Sequence, residues 1–122
     1  MLQPRSIVKI ADNTGAEIGR VFKVLGGSKK RFAQIGDIVV LSVQKAEPRK
    51  QIKKKAIERA VVVRQRKPFR RRDGSYVRFD ENAVVIIDAK KEPKGARIFG
   101  PIPRELGESG FQTIVSRAPE IV

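Results

Sequence analysis

Hydrophobic residues in this chain fall into short segments rich in valine and isoleucine, which glycine, asparagine, aspartate and proline separate. In residues 38–45, Val39, Leu41 and Val43 recur at every second position, which is the period of a strand with one buried face. The strands predicted on this basis are residues 7–11, 17–25, 38–45, 60–66, 76–79 and 83–89. A parallel sheet would need long crossover helices, for which the chain has no room. The pattern therefore predicts a mainly β fold, either a closed barrel or a sandwich.

Turn residues indicate how the strands follow one another. The sequence Asp-Asn-Thr-Gly at residues 12–15 is typical of a turn, so the second strand is expected to return with Ile18, Phe22 and Val24 on one face. Asp-Gly at residues 73–74 predicts the turn of a second hairpin. These two turns predict antiparallel pairing on either side of them.

The last part of the chain has a different character. The run at residues 84–87 is apolar at every position, which is typical of a strand buried on both faces. Proline and glycine then interrupt residues 93–103. Residues 104–109 and 112–117 are predicted to form short helices.

Positive charge is concentrated in the first three-fifths of the chain. The protein has 122 residues and a net charge of +14; residues 1–72 contain 20 Lys/Arg and 5 Asp/Glu, whereas residues 73–122 contain 7 and 8. A surface that serves solubility alone normally mixes the two signs. Four basic groups stand out: residues 29–31, residues 49–50 with 53–55, residues 64, 66 and 67, and residues 70–72. This distribution favours a polyanionic partner, and a nucleic-acid backbone is the obvious one.

The arginines near the second hairpin are expected to point outward. Arg64 and Arg66 alternate along a predicted strand, so both should project from one face. Residues 70–72 adjoin the Asp-Gly turn, so their guanidinium groups should extend into solvent, where they can engage phosphate oxygens in pairs. Replacing those three arginines should then change folding stability by no more than about 1 kcal/mol.

Three aromatic residues are interleaved with these charges and could stack on unpaired bases. Phe69, between a proline and an arginine near the expected hairpin tip, is the best candidate for stacking. Phe32 and Tyr76 are expected instead to pack in the barrel or across the hairpin.

Enzymatic chemistry has no support in the sequence. The chain contains neither cysteine nor histidine, which removes thiolate chemistry and the commonest general base. Gly95 and Gly100 have the spacing of a phosphate loop, but Pro101 and Ile102 stand where lysine and serine or threonine are required. We therefore expect no catalytic residue, no metal site and no cofactor. No apolar run approaches the roughly 20 residues that cross a bilayer, so we expect a soluble intracellular protein without membrane contact.

Several motifs, taken in order and spacing, resemble the large-subunit ribosomal protein fourteen family over essentially the whole length. They lie at residues 11–16, 23–28, 36–39, 60–64, 71–83, 95–106 and 114–120. The resemblance implies a five-stranded antiparallel barrel similar to an OB-fold. It implies one domain, residues 1–122, with the barrel at about 1–100, a projecting basic β-ribbon at about 64–79 and a small helical part at about 101–122.

The same resemblance implies a structural constituent of the large ribosomal subunit in the cytoplasm. Family members bind large-subunit rRNA, contribute to a bridge with small-subunit rRNA, and adjoin ribosomal proteins three and nineteen; the ribosomal silencing factor can dock on them. The residues expected to bind rRNA are Lys23, Lys29, Lys30, Arg31, Arg49, Lys53, Lys54, Arg64, Arg66, Lys67, Arg70, Arg71, Arg72 and Arg78.

The C-terminal part is expected to face neighbouring proteins or the bridge. The candidates are Arg97, Arg104, Thr113 and Arg117. Alternatively, these arginines cap helices or pair with Glu105 and Glu108.

Taken alone, the residues are also compatible with two other functions. An OB-like module that binds free single-stranded RNA or acts as an RNA chaperone should display several exposed aromatics, which an aromatic content of 6% without tryptophan does not favour. A barrel that binds acidic proteins without any RNA role is the third possibility.

Overall fold

The computed structural model describes residues 2–26 and 32–122. Its elements are β1 (Ile7–Ile10), β2 (Ala16–Val24), β3 (Ile38–Ala46), β4 (Ile57–Arg64), β5 (Phe69–Arg70), β6 (Tyr76–Val77), β7 (Ala83–Ile87), β8 (Pro101–Ile102), α1 (Glu105–Glu108), α2 (Gln112–Arg117) and β9 (Glu120–Ile121). The six predicted strands and both predicted helices are present, with shifts of a few residues at their ends. The basic group Lys29, Lys30 and Arg31 lies outside the described residues.

Five strands close into a barrel in the order β1-β2-β3-β4-β7, which confirms the OB-like barrel. Four neighbouring pairs are antiparallel, but the closing pair β1–β7 is parallel, with Lys9 opposite Ala83 and Ile10 opposite Val84. The expectation of a wholly antiparallel barrel is corrected in this one pair. Strand directions cannot alternate all the way around a ring with an odd number of strands.

The barrel interior is filled by side chains that alternate along the strands. Val39, Leu41 and Val43 of β3 all point inward, as predicted. A second apolar cluster covers the outer side of β4 and β7 with residues of the C-terminal part. Its members include Val61, Val63, Val85, Ile87, Ile98, Ile102, Leu106, Phe111 and Ile114. Strand β7 is therefore buried on both faces, as its continuous apolar run predicted.

The prediction for β2 was wrong about which side chains face inward. The buried positions are Ala16, Gly19, Val21 and Val24, whereas Phe22 is exposed. The pairing of β2 with β3 shifts register at three points, including one between Val21 and Lys23. Each shift adds a residue to one strand and interrupts strict alternation.

The remaining strands form two small sheets outside the barrel. β5 pairs with β6 to form the basic ribbon, and β8 pairs with β9 near the chain end. No helix among residues 2–26 and 32–122 is long and apolar enough to cross a membrane. The single-domain organisation stays a prediction.

Candidate nucleic-acid interface

Cations and carboxylates differ in how the fold uses them. Of the 24 lysines and arginines in the described residues, 16 have neither an ion pair nor a side-chain hydrogen bond, and all 16 are exposed. Of the 13 acidic residues, only 4 lack such a partner within residues 2–26 and 32–122, and they are Glu47, Asp80, Glu92 and Glu120. Because most carboxylates are engaged inside the protein, the charge that remains for a partner is overwhelmingly positive.

The densest group of unpaired cations lies in the basic loop, residues 47–55, between β3 and β4. Arg49, Lys50, Lys53, Lys54 and Lys55 are all exposed there, without an ion pair in the part of the chain that the structure describes. The loop is tied down at its start, middle and end: the amides of residues 47, 52 and 55 donate to the carbonyls of residues 15 (2.8 Å), 14 (3.1 Å) and 43 (2.8 Å). The backbone is thus held while the charges reach into solvent.

The anchor for this loop is the buried carboxylate of Asp12. One oxygen accepts hydrogen bonds from the Thr14 amide (3.2 Å) and hydroxyl (2.6 Å), and the other accepts from the Ile86 amide (3.0 Å). Burial raises the pKa of Asp12, and these hydrogen bonds oppose the rise. The segment predicted as a simple hairpin turn therefore also joins the basic loop to β7.

Arg64 occupies an internal site, contrary to the expectation that it projects outward with Arg66. The residue is 4% exposed. Its guanidinium lies 3.1 Å from Glu81 and donates to the carbonyls of Phe99 (2.8 Å) and Pro101 (3.1 Å). Burial lowers the pKa of Arg64, and Glu81 opposes that shift. Because all these acceptors are internal, Arg64 positions the C-terminal segment and is not available to RNA in this conformation.

Local geometry explains why the two arginines differ. β4 ends at Arg64, so Arg66 lies beyond the strand, where it is exposed. The pairing of β4 with β7 also shifts register between Val62 and Arg64. Gly100 has φ +79° and lies against the Arg64 guanidinium, so a side chain there would collide with it.

The ribbon turn forms as its sequence predicts. One oxygen of Asp73 accepts from the Ser75 amide (2.9 Å) and hydroxyl (2.6 Å), and Gly74 has φ +89°. The hydrogen bonds from Ser75 lower the pKa of Asp73. The ribbon between β5 and β6 is thus closed by its own side chains.

The three ribbon arginines do not all extend into solvent as expected. The Arg71 side chain is only 11% exposed, with Nε 2.9 Å from Glu105 and Nη2 donating to the Val122 carbonyl (2.6 Å). Arg72 is almost fully exposed and lies 3.8 Å from Glu108, and Arg70 is exposed without an ion pair among the described residues. The ribbon therefore leans on the C-terminal part through Arg71 and presents Arg70 and Arg72.

The aromatic side chains differ from expectation in the barrel but not across the hairpin, where Tyr76 lies opposite Arg70. Tyr76 is 68% exposed and Phe32 is also exposed, so neither packs in the core. Phe69 is half-buried, and the Arg71 guanidinium lies 6.0 Å from its ring centre. Strands β5 and β6 pair over only two residues each, which leaves Tyr76 uncovered. Among the ribbon aromatics, Tyr76 is more accessible to a base than Phe69.

One comparison with known proteins bears on identity. The model of the family described as Ribosomal protein L14p/L23e matches residues 1–122, the whole chain. The chain belongs to this family. It is therefore a structural protein of the large ribosomal subunit from a family that is not enzymatic, and membership of this family implies ribosomal RNA and ribosomal proteins as partners.

In this L14p/L23e protein, the C-terminal candidates occupy two separate places. Arg117 donates to the Gly95 carbonyl (3.0 Å), and Thr113 lies one helical turn before it on α2, half-buried. The Arg97 amide donates to the Asn13 side chain (3.2 Å), so its backbone is fixed to the turn after β1. Arg97, Thr113 and Arg117 thus belong to one neighbourhood.

Arg104 lies elsewhere, at the start of α1. Its Nε is 3.8 Å from Glu105, the same carboxylate that Arg71 approaches. The alternative expectation of pairing with Glu105 therefore describes Arg104, whereas Arg117 bonds a backbone carbonyl instead.

Two exposed arginines of the L14p/L23e barrel were missed by the sequence analysis. Arg20 on β2 and Arg59 on β4 have no ion pair or side-chain hydrogen bond within the described ranges. Neither has another basic residue next to it in the sequence, so a search for charge runs overlooks them.

Proposed function

We propose that this protein binds large-subunit rRNA through the exposed cations of the basic loop, the ribbon and β2. The observation that supports it best is the imbalance of unpaired charge, 16 cations against 4 carboxylates in the described residues. Unpaired cations on a held backbone repel one another until a polyanion neutralises them. RNA phosphates supply that charge, and counterions are released when they bind.

The proposed phosphate contacts are the candidates whose side chains are exposed in the structure. They are Lys23, Arg49, Lys53, Lys54, Arg66, Lys67, Arg70, Arg72 and Arg78. Lys29, Lys30 and Arg31 are added on their sequence alone. Arg64 and Arg71 take a different role, because their guanidinium groups fix the C-terminal part against the barrel and the ribbon.

The barrel acts as a rigid support in this proposal. Phosphate contacts fix position and orientation but carry no base information, so specificity comes from the shape of the folded RNA. By neutralising phosphates where rRNA helices approach each other, the protein lowers the electrostatic cost of packing them.

The C-terminal part is proposed to face the bridge with small-subunit rRNA and the neighbouring proteins. Arg97, Thr113 and Arg117 form one neighbourhood beside residues 93–98, where the unpaired cations are few. Together with the family resemblance, this supports contacts with ribosomal proteins three and nineteen and docking of the ribosomal silencing factor. The protein then works in cytoplasmic ribosomes.

Sedimentation of the tagged full chain tests the rRNA proposal. We expect the protein to remain with large subunits through a moderate-salt wash. Lys53→Gln with Lys54→Gln should lower the salt concentration at which the protein is released, because two phosphate contacts are lost.

Lys90→Gln with Lys91→Gln is the matched control. It also removes two adjacent exposed lysines, but at the turn after β7, outside the proposed interface. Equal release of the two variants would reject the basic loop as a contact. A wild-type chain that sediments alone or with free messenger RNA would reject the proposal as a whole.

A further inference from the structure

We infer a second RNA-contacting surface on the outer barrel face, defined here as Arg20, Phe22, Lys23, Ile57 and Arg59, on which an unpaired base stacks against Phe22 between phosphates held by the cations. The inference rests on the proposed rRNA binding and assigns part of it to a surface distinct from the basic loop and the ribbon.

A β-bulge creates this face. Val21 opposes Leu41 and Lys23 opposes Val40, so Phe22 is an extra residue in β2 without its own partner in β3. Val21 and Val24 point inward, and Arg20, Phe22 and Lys23 are all exposed. Bulges commonly redirect a side chain at a functional site, and here one places an aromatic ring beside two cations.

Cross-strand pairing brings β4 residues onto the same face. Arg20 opposes Ser42, which opposes Ile57; Lys23 opposes Val40, which opposes Arg59. Neighbouring strands lie about 4.8 Å apart, so each row spans roughly 10 Å. The C-terminal part covers only the second half of β4, where Ala60–Arg64 are buried, and leaves Ile57 and Arg59 open.

The charge on this face favours RNA as the occupant. Arg20, Lys23 and Arg59 have no ion pair or side-chain hydrogen bond in the part of the chain that the structure describes. The carboxylates nearest along the same strands, Glu17 and Glu58, are already paired with lysines. Three unpaired like charges on one face repel each other, which argues against a second copy of this chain and for a polyanion.

The exposed ring of Phe22 is a feature that binding to phosphates alone would not require. Phe22 is 49% exposed, although its burial in the core would be favourable. An aromatic ring stacks on a base of any sequence, and such stacking adds affinity that is insensitive to salt. A mixture of exposed aromatic and unpaired cations is the arrangement that single-stranded RNA segments require.

Binding of the full chain to purified, protein-free large-subunit rRNA over a salt series tests this surface. Phe22→Leu should weaken binding by about 5- to 150-fold without changing the slope of log K against log salt, since leucine keeps the apolar bulk and removes the ring. Phe99→Leu, at a residue that is 48% exposed outside the face, is the matched control and should bind as the wild type does.

The cations are tested separately. Arg20→Gln, Lys23→Gln and Arg59→Gln together should reduce the magnitude of the salt slope by about 2 to 3. Thermal unfolding of each variant should match the wild type, because the side chains are exposed.

The outcomes distinguish this inference from the proposed function. If the wild type binds rRNA while Phe22→Leu matches Phe99→Leu, or the triple variant keeps the full slope, this surface is wrong, and the proposed function stands for the basic loop and the ribbon. If the wild type does not bind rRNA, both fail. In ultraviolet crosslinking of assembled large subunits, a nucleotide attached to Phe22 supports the inference, and a protein attached there overturns it.

Discussion

The basic region at residues 47–78 and the C-terminal part at residues 93–122 use their cations in opposite ways. Of 13 lysines and arginines in the first, only Arg64, Arg71 and Arg72 have a partner; of 4 in the second, only Arg97 lacks one for its side chain. The comparison shows that the number of basic residues and the number available to a partner are different quantities. Burial and nearby acceptors determine how many basic residues are available.

The two regions are also joined by the basic residues that are not available. Arg64 holds the carbonyls of Phe99 and Pro101, and Arg71 holds Glu105 and the Val122 carbonyl. Both arginines belong to clusters that the sequence predicted to bind RNA. Their actual role is to fix the C-terminal part against the barrel and ribbon.

The largest effect that tests this comparison is expected at Arg64. Arg64→Met keeps the apolar stem but leaves the carbonyls of Phe99 and Pro101 without their donor and Glu81 with Lys9 alone, so the free energy of unfolding should fall by about 2–4 kcal/mol. Denaturant unfolding measures this loss.

Arg66→Met is the matched control, because it removes an exposed arginine two residues away. It should change stability by less than about 0.5 kcal/mol and reduce the salt slope of rRNA binding by about 1. If both variants were equally stable, the internal role of Arg64 would be wrong.

A smaller effect is expected at the ribbon. Arg71→Met should cost about 1–2 kcal/mol of stability, because the Glu105 carboxylate and the Val122 carbonyl lose the largely buried guanidinium that they contact. Arg70→Met, at an exposed neighbour, should cost less than about 0.5 kcal/mol but weaken rRNA binding. The earlier expectation that all three ribbon arginines could be replaced at a cost within about 1 kcal/mol is revised accordingly. Equal stability of the two single variants in thermal unfolding would show that the ribbon does not lean on the C-terminal part.

The smallest effect concerns pH. The pKa of Asp73 is lowered by the hydrogen bonds from Ser75, so its contribution to stability is fully present above the unfolded-state value of about 3.9. That contribution is lost as the pH falls through the lower folded-state pKa. The difference in thermal midpoint between wild type and Asp73→Asn should therefore stay constant near neutral pH and shrink in acid.

Asp80→Asn removes an exposed carboxylate that has no side-chain partner in the described ranges, and it serves as the reference for general charge effects. If the difference in thermal midpoint between the wild type and Asp73→Asn grew in acid, relative to that for Asp80→Asn, the stabilising role assigned to ionised Asp73 would be contradicted.

Strand positions were predictable because burial imposes a period of two, and β3 follows it from Ile38 to Val43. The inward face of β2 was not predictable, since three register shifts move residues between faces. Nothing in the composition of that strand distinguishes Phe22 from a core residue. The exposed pair Arg20 and Arg59 was missed for a related reason, because each is a single charge and becomes part of a face only through cross-strand pairing.

The sequence by itself determined the barrel strands, the Asp-Gly turn and the excess of positive charge, because these depend on local patterns and on composition. The tertiary structure decided the parallel closing pair, the bulge that exposes Phe22, and the division of arginines between internal and external roles. Those features depend on which groups meet across long sequence separations, such as Arg64 with Phe99 and Arg71 with Val122. The availability of an arginine to RNA is set by its burial and its acceptors, and both are properties of the folded chain.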